Sequence, residues 1–258
     1  MTLSQTVTLV DTLARFHLKG ESRQYFLGYL WWVLEPLLYV AVFYLVFDIL
    51  LGSRQPDFLY FLMVGKLSFI WFSKSVNQAA GSLEANKGLM AQTNLRKELF
   101  PLAVILQGLY RQLVVFLFLI GFLLMGGYPP SATWLWLIPL TVLQAILITA
   151  CGLLGALLVS FKRDFRLVIQ LGTVFLLFMS GIFWDLNTIA DAHLRDGLLV
   201  LNPLANLIDC YRQVLMLGEA PEAMRLAWVL GESLLLLIPA WVAYDRLQFW
   251  IARQVVNR

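Results

Sequence analysis

The chain has 258 residues, 60% of them apolar and 14% charged, with a mean hydropathy of +0.76. So little polar surface cannot cover a soluble globule of this size. A net charge of +3 does not point to nucleic acid either, because the basic residues stand beside long apolar runs. The runs are continuous in Leu, Val, Ile and Phe rather than alternating, so they predict an all-α integral membrane protein and not a barrel.

Residues Thr2 to Gly20 place Leu3, Val7, Val10 and Ala14 at helical spacing among polar residues, the pattern of a helix lying in the membrane interface or of a solvated lead-in. Its mixed charges, Asp11, Arg15, Lys19, Glu21 and Arg23, do not read as a secretory leader. Runs of about 20 residues, the length that crosses a bilayer, then follow at Leu30 to Leu51, Phe58 to Ala79, Ala103 to Gly126, Trp134 to Ser160, Leu167 to Trp184 and Ala227 to Tyr244. Lys and Arg gather in residues 1–29, in the Gly81 to Pro101 connection, at Lys162, Arg163 and Arg166, and in the tail from residue 245 to 258. The alternate connections are nearly bare. By the positive-inside rule both termini are expected in the cytoplasm, with about six spans.

Two connections are too long to be simple turns. Gly81 to Pro101 reads as a partly apolar, charged helix on the cytoplasmic face. In the outer one, residues 185–225, two apolar stretches too short to cross meet at Asn202-Pro203, so re-entrant or surface half-helices are expected between the last two spans. A compact outer loop with one surface helix is the alternative.

No enzyme constellation is present. His17 and His193 are far apart, Cys151 and Cys210 have neither metal nor disulfide-framework spacing, and Gly65-Lys66 fails as a phosphate loop because Leu67 and Tyr60 occupy its required positions. Glu35, Asp48, Lys66, Lys74, Arg111 and Asp164 fall near span ends, where side chains can snorkel. Glu35, followed by Pro36, is the one expected to face a cavity or a neighbouring helix.

Tyr25, Tyr29, Trp32, Tyr39 and Phe43, with Pro36 between, recur on one stripe of the first span. Such a stripe suits a path for sugars, whose C–H groups pack on ring faces, and it equally suits a helix seam. Phe175, Phe178 and Ile182 align similarly in the fifth span, where Gly172 and Gly181 permit close approach. Cys151 with Gly155 and Gly152 with Ala156 read as packing contacts. Trp31, Trp134, Trp136 and Trp228 read as an interfacial belt.

Three stretches together resemble the ABC-2-type polysaccharide export permeases. Phe26-Leu27-Gly28-Tyr29-Leu30-Trp31-Trp32-Val33-Leu34-Glu35-Pro36-Leu37 is similar to the entry of their first span. Gly81-Ser82-Leu83-Glu84-Ala85-Asn86-Lys87-Gly88-Leu89 and Asn94-Leu95-Arg96-Lys97-Glu98-Leu99-Phe100-Pro101 resemble their cytoplasmic loop. Arg163-Asp164-Phe165, and Asn202-Pro203 followed by Tyr211-Arg212, resemble later landmarks. The resemblance runs in order over nearly the whole chain, 1–258, as a single transmembrane domain.

It implies a homodimer of six-span subunits in the bacterial inner membrane, with two copies of a cytoplasmic ABC ATPase. This chain would bind no cofactor and no metal, ATP and magnesium residing on the partner. It further implies ATPase coupling through Glu84, Asn86, Lys87, Arg96, Lys97 and Glu98, and an outer gate at Asn202, Pro203, Tyr211 and Arg212. A path for lipid-linked polysaccharide would follow Tyr25, Tyr29, Trp32, Tyr39, Phe43, Phe175 and Phe178, flanked by the first and fifth spans, with the N-terminal helix bracing the entrance. Periplasmic or outer-membrane components would complete the route. The loop mixes capsule-like with O-antigen- or teichoic-acid-like runs. An ABC-2 exporter of small amphiphiles is the rival reading, and an ion-coupled carrier a more distant one.

Overall fold

The computed structural model describes residues 3–24, 26–50, 52 and 57–256. Tyr25 and Arg54 lie outside the described residues, as does the side chain of Asp48. Helices account for nearly everything described, and no strand occurs among these residues.

Helix α1 (Leu3–Gln24) runs beyond Gly20 and buries Ala14 fully, while Val7, expected on the same face, is 61% exposed. The buried face is set by partners rather than by hydropathy alone. Tyr110 Oη donates to Asp11 Oδ1 at 2.5 Å, and Arg111 Nη1 meets Glu21 Oε1 at 2.7 Å, clasping α1 to a later helix. The chain then turns at Gly28, whose φ of +50° is in the left-handed region that glycine enters without a Cβ clash. The axes on either side of this turn stand at 97°.

Helix α2 (Trp31–Tyr44) continues as a π-helical stretch, Leu45–Leu50, so the first apolar run is helical almost as expected. Helix α3 (Phe58–Ala85) is longer than its predicted span by residues 80–85. Nothing between Ala79 and Ala85 breaks a helix, and Asn86 ends it, with its amide nitrogen donating to Ser82 O at 2.8 Å. Its 28 residues rise about 42 Å, more than a bilayer core. A short α4 (Lys87–Gln92) precedes α5 (Leu99–Met125), which begins four residues before the predicted span and holds Pro101 in its first turn, where the missing N–H costs nothing.

A 3-10 stretch, Ala132–Trp136, leads into α6 (Leu137–Phe161). The glycines of α6 perform the expected packing role: a Cβ on Gly152 would stand 3.0 Å from Ala79 Cβ, and one on Gly155 would stand 3.2 Å from Ala80 Cβ. These two glycines let α3 and α6 approach closely.

Helix α7 (Phe165–Met179) has only 15 residues, short of the predicted Leu167 to Trp184 run. It stops before Gly181, at φ +64°, and Ile182 turns inward to complete burial. Phe175 and Phe178 remain 63% and 56% exposed, so Ile182 does not share their face, and Gly172 has open space rather than a close neighbour. Helix α8 (Ala192–Leu201) and helix α9 (Pro203–Arg212) break where expected. Asn202 Oδ1 accepts from Ala205 N at 3.1 Å as an N-cap, and Pro203 takes the first helical position. Side chains of α8 stay at the surface, whereas Leu204 through Arg212 are buried.

Helix α10 (Ala223–Val256) extends the last predicted span by about one turn at its start and three at its end, and turns the expected tail into helix. Its Tyr244, Ile251 and Val255 join Leu83, Met90 and Phe100 in a second apolar core at the α4 end of the bundle. The larger core lies among α3, α5, α6 and α9. Among the described residues four helices are long and apolar enough to cross a membrane, or up to five with the bent α1–α2 pair, and α7 is a shorter apolar helix. The chain is a multi-pass membrane protein.

Candidate functional site

Four polar residues of α3 share one face of the helix. Lys66, Ser73, Lys74 and Asn77 are spaced so that they sit on adjoining ridges, and that face looks into a cleft between α2 and α7. The cleft measures about 250 Å³ and is lined by Glu35 and Tyr39 of α2, by Lys66, Phe69, Ile70, Ser73 and Lys74 of α3, and by Thr173, Val174 and Leu177 of α7.

Charge in the cleft is organised by pairing. Glu35 forms an ion pair with Lys74 across α2 and α3, as its expected exposure to a neighbouring helix required. Asn77 Nδ2 donates to Thr173 Oγ1 at 3.1 Å and ties α3 to α7. Arg111, which lines the adjoining small cavity together with Trp32, bridges Glu21 of α1 and Gln78 Oε1, the latter at 3.3 Å. Lys66 is 5% exposed, with Nζ 4.8 Å from the Phe43 ring centroid, 5.4 Å from Tyr39 and 5.6 Å from Phe69. The expectation that Lys66 and Arg111 snorkel to an interface is therefore corrected: both are held inside the protein by rings or by a carboxylate.

The aromatic stripe divides. Trp32 and Tyr39 line the two cavities, and Tyr29 stands edge-on to Trp32 at 4.7 Å. Phe43 packs on Phe183 at 4.6 Å, closing the far end of α2 against the loop after α7. Tyr39 of α2 and Phe175 and Phe178 of α7 keep about half or more of their surface exposed on the two helices that border the cleft, as does Tyr29 in the turn before α2. The polar face of α3 was the feature missed in the sequence; its signal was the helical spacing of Lys66, Ser73, Lys74 and Asn77.

At the α9 end, Arg212 joins three segments. Its Nη1 donates to Gly181 O at 2.6 Å, Nη2 to Ile182 O at 3.1 Å and to Phe61 O at 3.2 Å, and the guanidinium lies 3.3 Å over the Phe61 ring. Gly65 is required here, since a Cβ would fall 2.5 Å from Arg212 Nη2. Asn202 Nδ2 donates to Ser180 Oγ at 3.1 Å, and Asp209 pairs with Arg225 at 2.7 Å. Tyr211 is fully buried, 5.7 Å from Phe116, and Pro203 starts α9 at its base. Asn202 and Arg212 thus both bond to the turn at residues 179–182, while Tyr211 packs into the bundle core.

At the α4 end, Glu84 accepts from Arg163 Nε at 2.7 Å and Arg96 meets Glu98 at 2.5 Å, with Asp245 of α10 at 3.6 Å. Glu98 and Lys97 are buried, Lys97 donating to Leu95 O at 2.7 Å. Burial pushes the Lys97 ammonium below its usual range, while the Glu98 carboxylate works against that shift. Asn86 caps α3, and Lys87 is half-buried. The outward surface of this connection is formed by Ala85, Gly88, Ala91, Gln92 and Asn94.

The sequence profile of the ABC-2 type transporter family matches residues 8–216. The chain is similar to an O-antigen export system permease protein RfbA of Myxococcus xanthus, 30% identical over 91% of this chain and 89% of the relative. An RfbA of Klebsiella pneumoniae is 28% identical over 81% of each chain. The polysialic acid transport protein KpsM of Escherichia coli is 26% identical over 87% of each.

Proposed function

The chain belongs to the ABC-2 type transporter family, and we propose that it is the membrane-spanning subunit of an ATP-driven exporter carrying a lipid-linked polysaccharide out of the cytoplasm. The observation that carries this reading is the cleft between α2 and α7, with a polar floor on α3 and exposed aromatic residues on both walls. Sugars need both features: ring faces pack against C–H groups, and polar side chains exchange hydrogen bonds with hydroxyls.

In this reading α2, α3, α5, residues 132–161, α7 and α10 are six spans, α1 lies in the interface, and α8 and α9 are the re-entrant pair that closes the outer mouth. Both termini and the α4 end face the cytoplasm of a bacterial inner membrane, where Lys87, Arg96, Lys162, Arg163 and Arg166 satisfy the positive-inside rule. A second copy of the chain covers the exposed aromatic faces of α2 and α7 to complete the conduit. Since the sequence lacks a phosphate loop, the fuel is burned by two ATPase subunits docked at the Gly81 to Pro101 connection. Work is done only if nucleotide on those subunits favours one arrangement of that connection over another.

The reading is tested by deleting the gene and measuring glycan on each side of the membrane. Deletion is expected to strand glycan inside the cell, and complementation by the wild-type chain to restore it to the surface. The double variant Trp32→Leu, Tyr39→Leu is expected to restore about a tenth or less at matched expression, since each lost aromatic contact removes about 1 kcal/mol. Unchanged surface glycan in the deletion strain overturns the function. Lost dimers in the double variant assign the stripe to packing.

A further inference from the structure

Resting on the reading of the α2–α7 cleft as the export path, we infer that the cleft recognises an oxyanion, a phosphate or carboxylate carried by the translocated molecule, and that the Lys66 ammonium is the group that meets it. Lys66 is 5% exposed and lines the cleft. Its Nζ is surrounded by the rings of Tyr39, Phe43 and Phe69. Ring faces attract a cation but accept little from its three N–H donors. Among the described residues no carboxylate, carbonyl or hydroxyl bonds to this nitrogen.

The other cations of the bundle interior differ. Lys74, two turns along the same face, has Glu35. Arg111 has Glu21, and Arg212 has three backbone carbonyls. With two ammonium groups and one carboxylate on its walls, the cleft carries a positive excess. An incoming oxyanion completes the bonding of Lys66 while leaving the Glu35–Lys74 pair intact. A residue needed only for packing in that aromatic cage would be apolar, since a lone ammonium inside a membrane bundle is costly and such groups mark substrate pathways.

The oxyanion can belong to acidic sugars of the glycan or to the phosphate linkage of its lipid. The shared chemistry is a charge-assisted hydrogen bond to oxygen, and two probes separate the sources. Binding of radiolabelled undecaprenyl diphosphate, tetragalacturonate and neutral cellotetraose is measured on the complex with its ATPase in nanodiscs, for wild type, Lys66→Met and Lys66→Arg. Lys66→Met is expected to weaken at least one acidic probe about tenfold, with Lys66→Arg within about threefold of wild type and cellotetraose unmoved. Loss confined to the diphosphate assigns the lipid linkage; loss confined to tetragalacturonate assigns the glycan.

Equal binding of both acidic probes by wild type and Lys66→Met overturns the inference, as does an equal loss of cellotetraose. Should Lys66→Met fail to assemble, wild-type protein with 13C-methylated lysines decides. The Lys66 methyl resonance must shift with an acidic probe and stay still with cellotetraose, and a resonance unmoved by both acidic probes sinks the idea. Neither result bears on whether the chain exports glycan, which the deletion strain answers separately.

Discussion

If α8 and α9 close the outer mouth as proposed, replacing Arg212 by Met is expected to open that closure, and the buried thiol of Cys210 reports it. Arg212 donates to Gly181 O at 2.6 Å and Ile182 O at 3.1 Å, and lies 3.3 Å above the Phe61 ring. Hydrogen bonds to a charged group contribute about 1.5 kcal/mol or more each, and a desolvated cation–π contact about 2. Removing the charge also removes the cost of burying it, so we take the net loss as about 3 kcal/mol. At about 1.4 kcal/mol per factor of ten, the open population rises about a hundredfold. Cys210 is fully buried on the same helix. In a Cys151→Ser background, a membrane-impermeant maleimide added outside should label Arg212→Met about a hundred times faster than the parent, with Arg212→Lys in between. An increase below about threefold, with the fold intact, would refute the reasoning, because the closure would then be held by the remainder of α9.

Three further predictions rest on pairing and packing. Glu35 and Lys74 keep roughly 30% of their side-chain surface exposed, so breaking the pair with Glu35→Gln should cost only about 1 kcal/mol of stability in thermal unfolding, and the double variant Glu35→Lys, Lys74→Glu should recover most of it. A Cβ on Gly152 would already press on Ala79 and Ile105, so Gly152→Val should destabilise the bundle by about 1–3 kcal/mol, lowering its melting temperature. Gly172→Val, facing open space, should leave monomer stability within about 0.5 kcal/mol and, if α7 meets a second copy, reduce cross-linking between copies.

The helical class and most element positions were legible because lipid leaves the backbone few options, and long apolar runs announce themselves without reference to partners. Asn202-Pro203 was legible for a local reason, since a cap and a proline at the first helical position act within one turn. Features that depend on what lies across the fold were not. Val7 and Ala14 look alike along α1, yet only Ala14 faces α5, because Asp11 and Glu21 bond to Tyr110 and Arg111. Ile182 shares a spacing with Phe175 and Phe178, but Gly181 takes it off the helix and Arg212 holds the turn from 31 residues away. Lys66 read as an interfacial lysine because nothing local reveals that Tyr39, Phe43 and Phe69 converge on it.

Helix α3 connects these features physically. Its first turn offers Phe61 to Arg212, its middle carries Lys66 and Lys74 into the cleft, and its last turn holds Glu84 against Arg163. From Phe61 to Glu84 the helix rises about 35 Å, which exceeds the bilayer core, and no proline interrupts it. In the proposed export cycle, a shift imposed on the Ala85–Asn94 surface would reach the floor of the cleft and the Phe61 anchor through α3. For that shift to release Arg212, the two arrangements of α3 must differ by no more than the free energy a nucleotide-driven partner supplies, and the closure's own strength of about 3 kcal/mol sets the lower limit. Under the proposed function, a closure much stronger than this would stay shut at every nucleotide state and a much weaker one would leak, so the small number of bonds around Arg212 would itself constrain the export cycle.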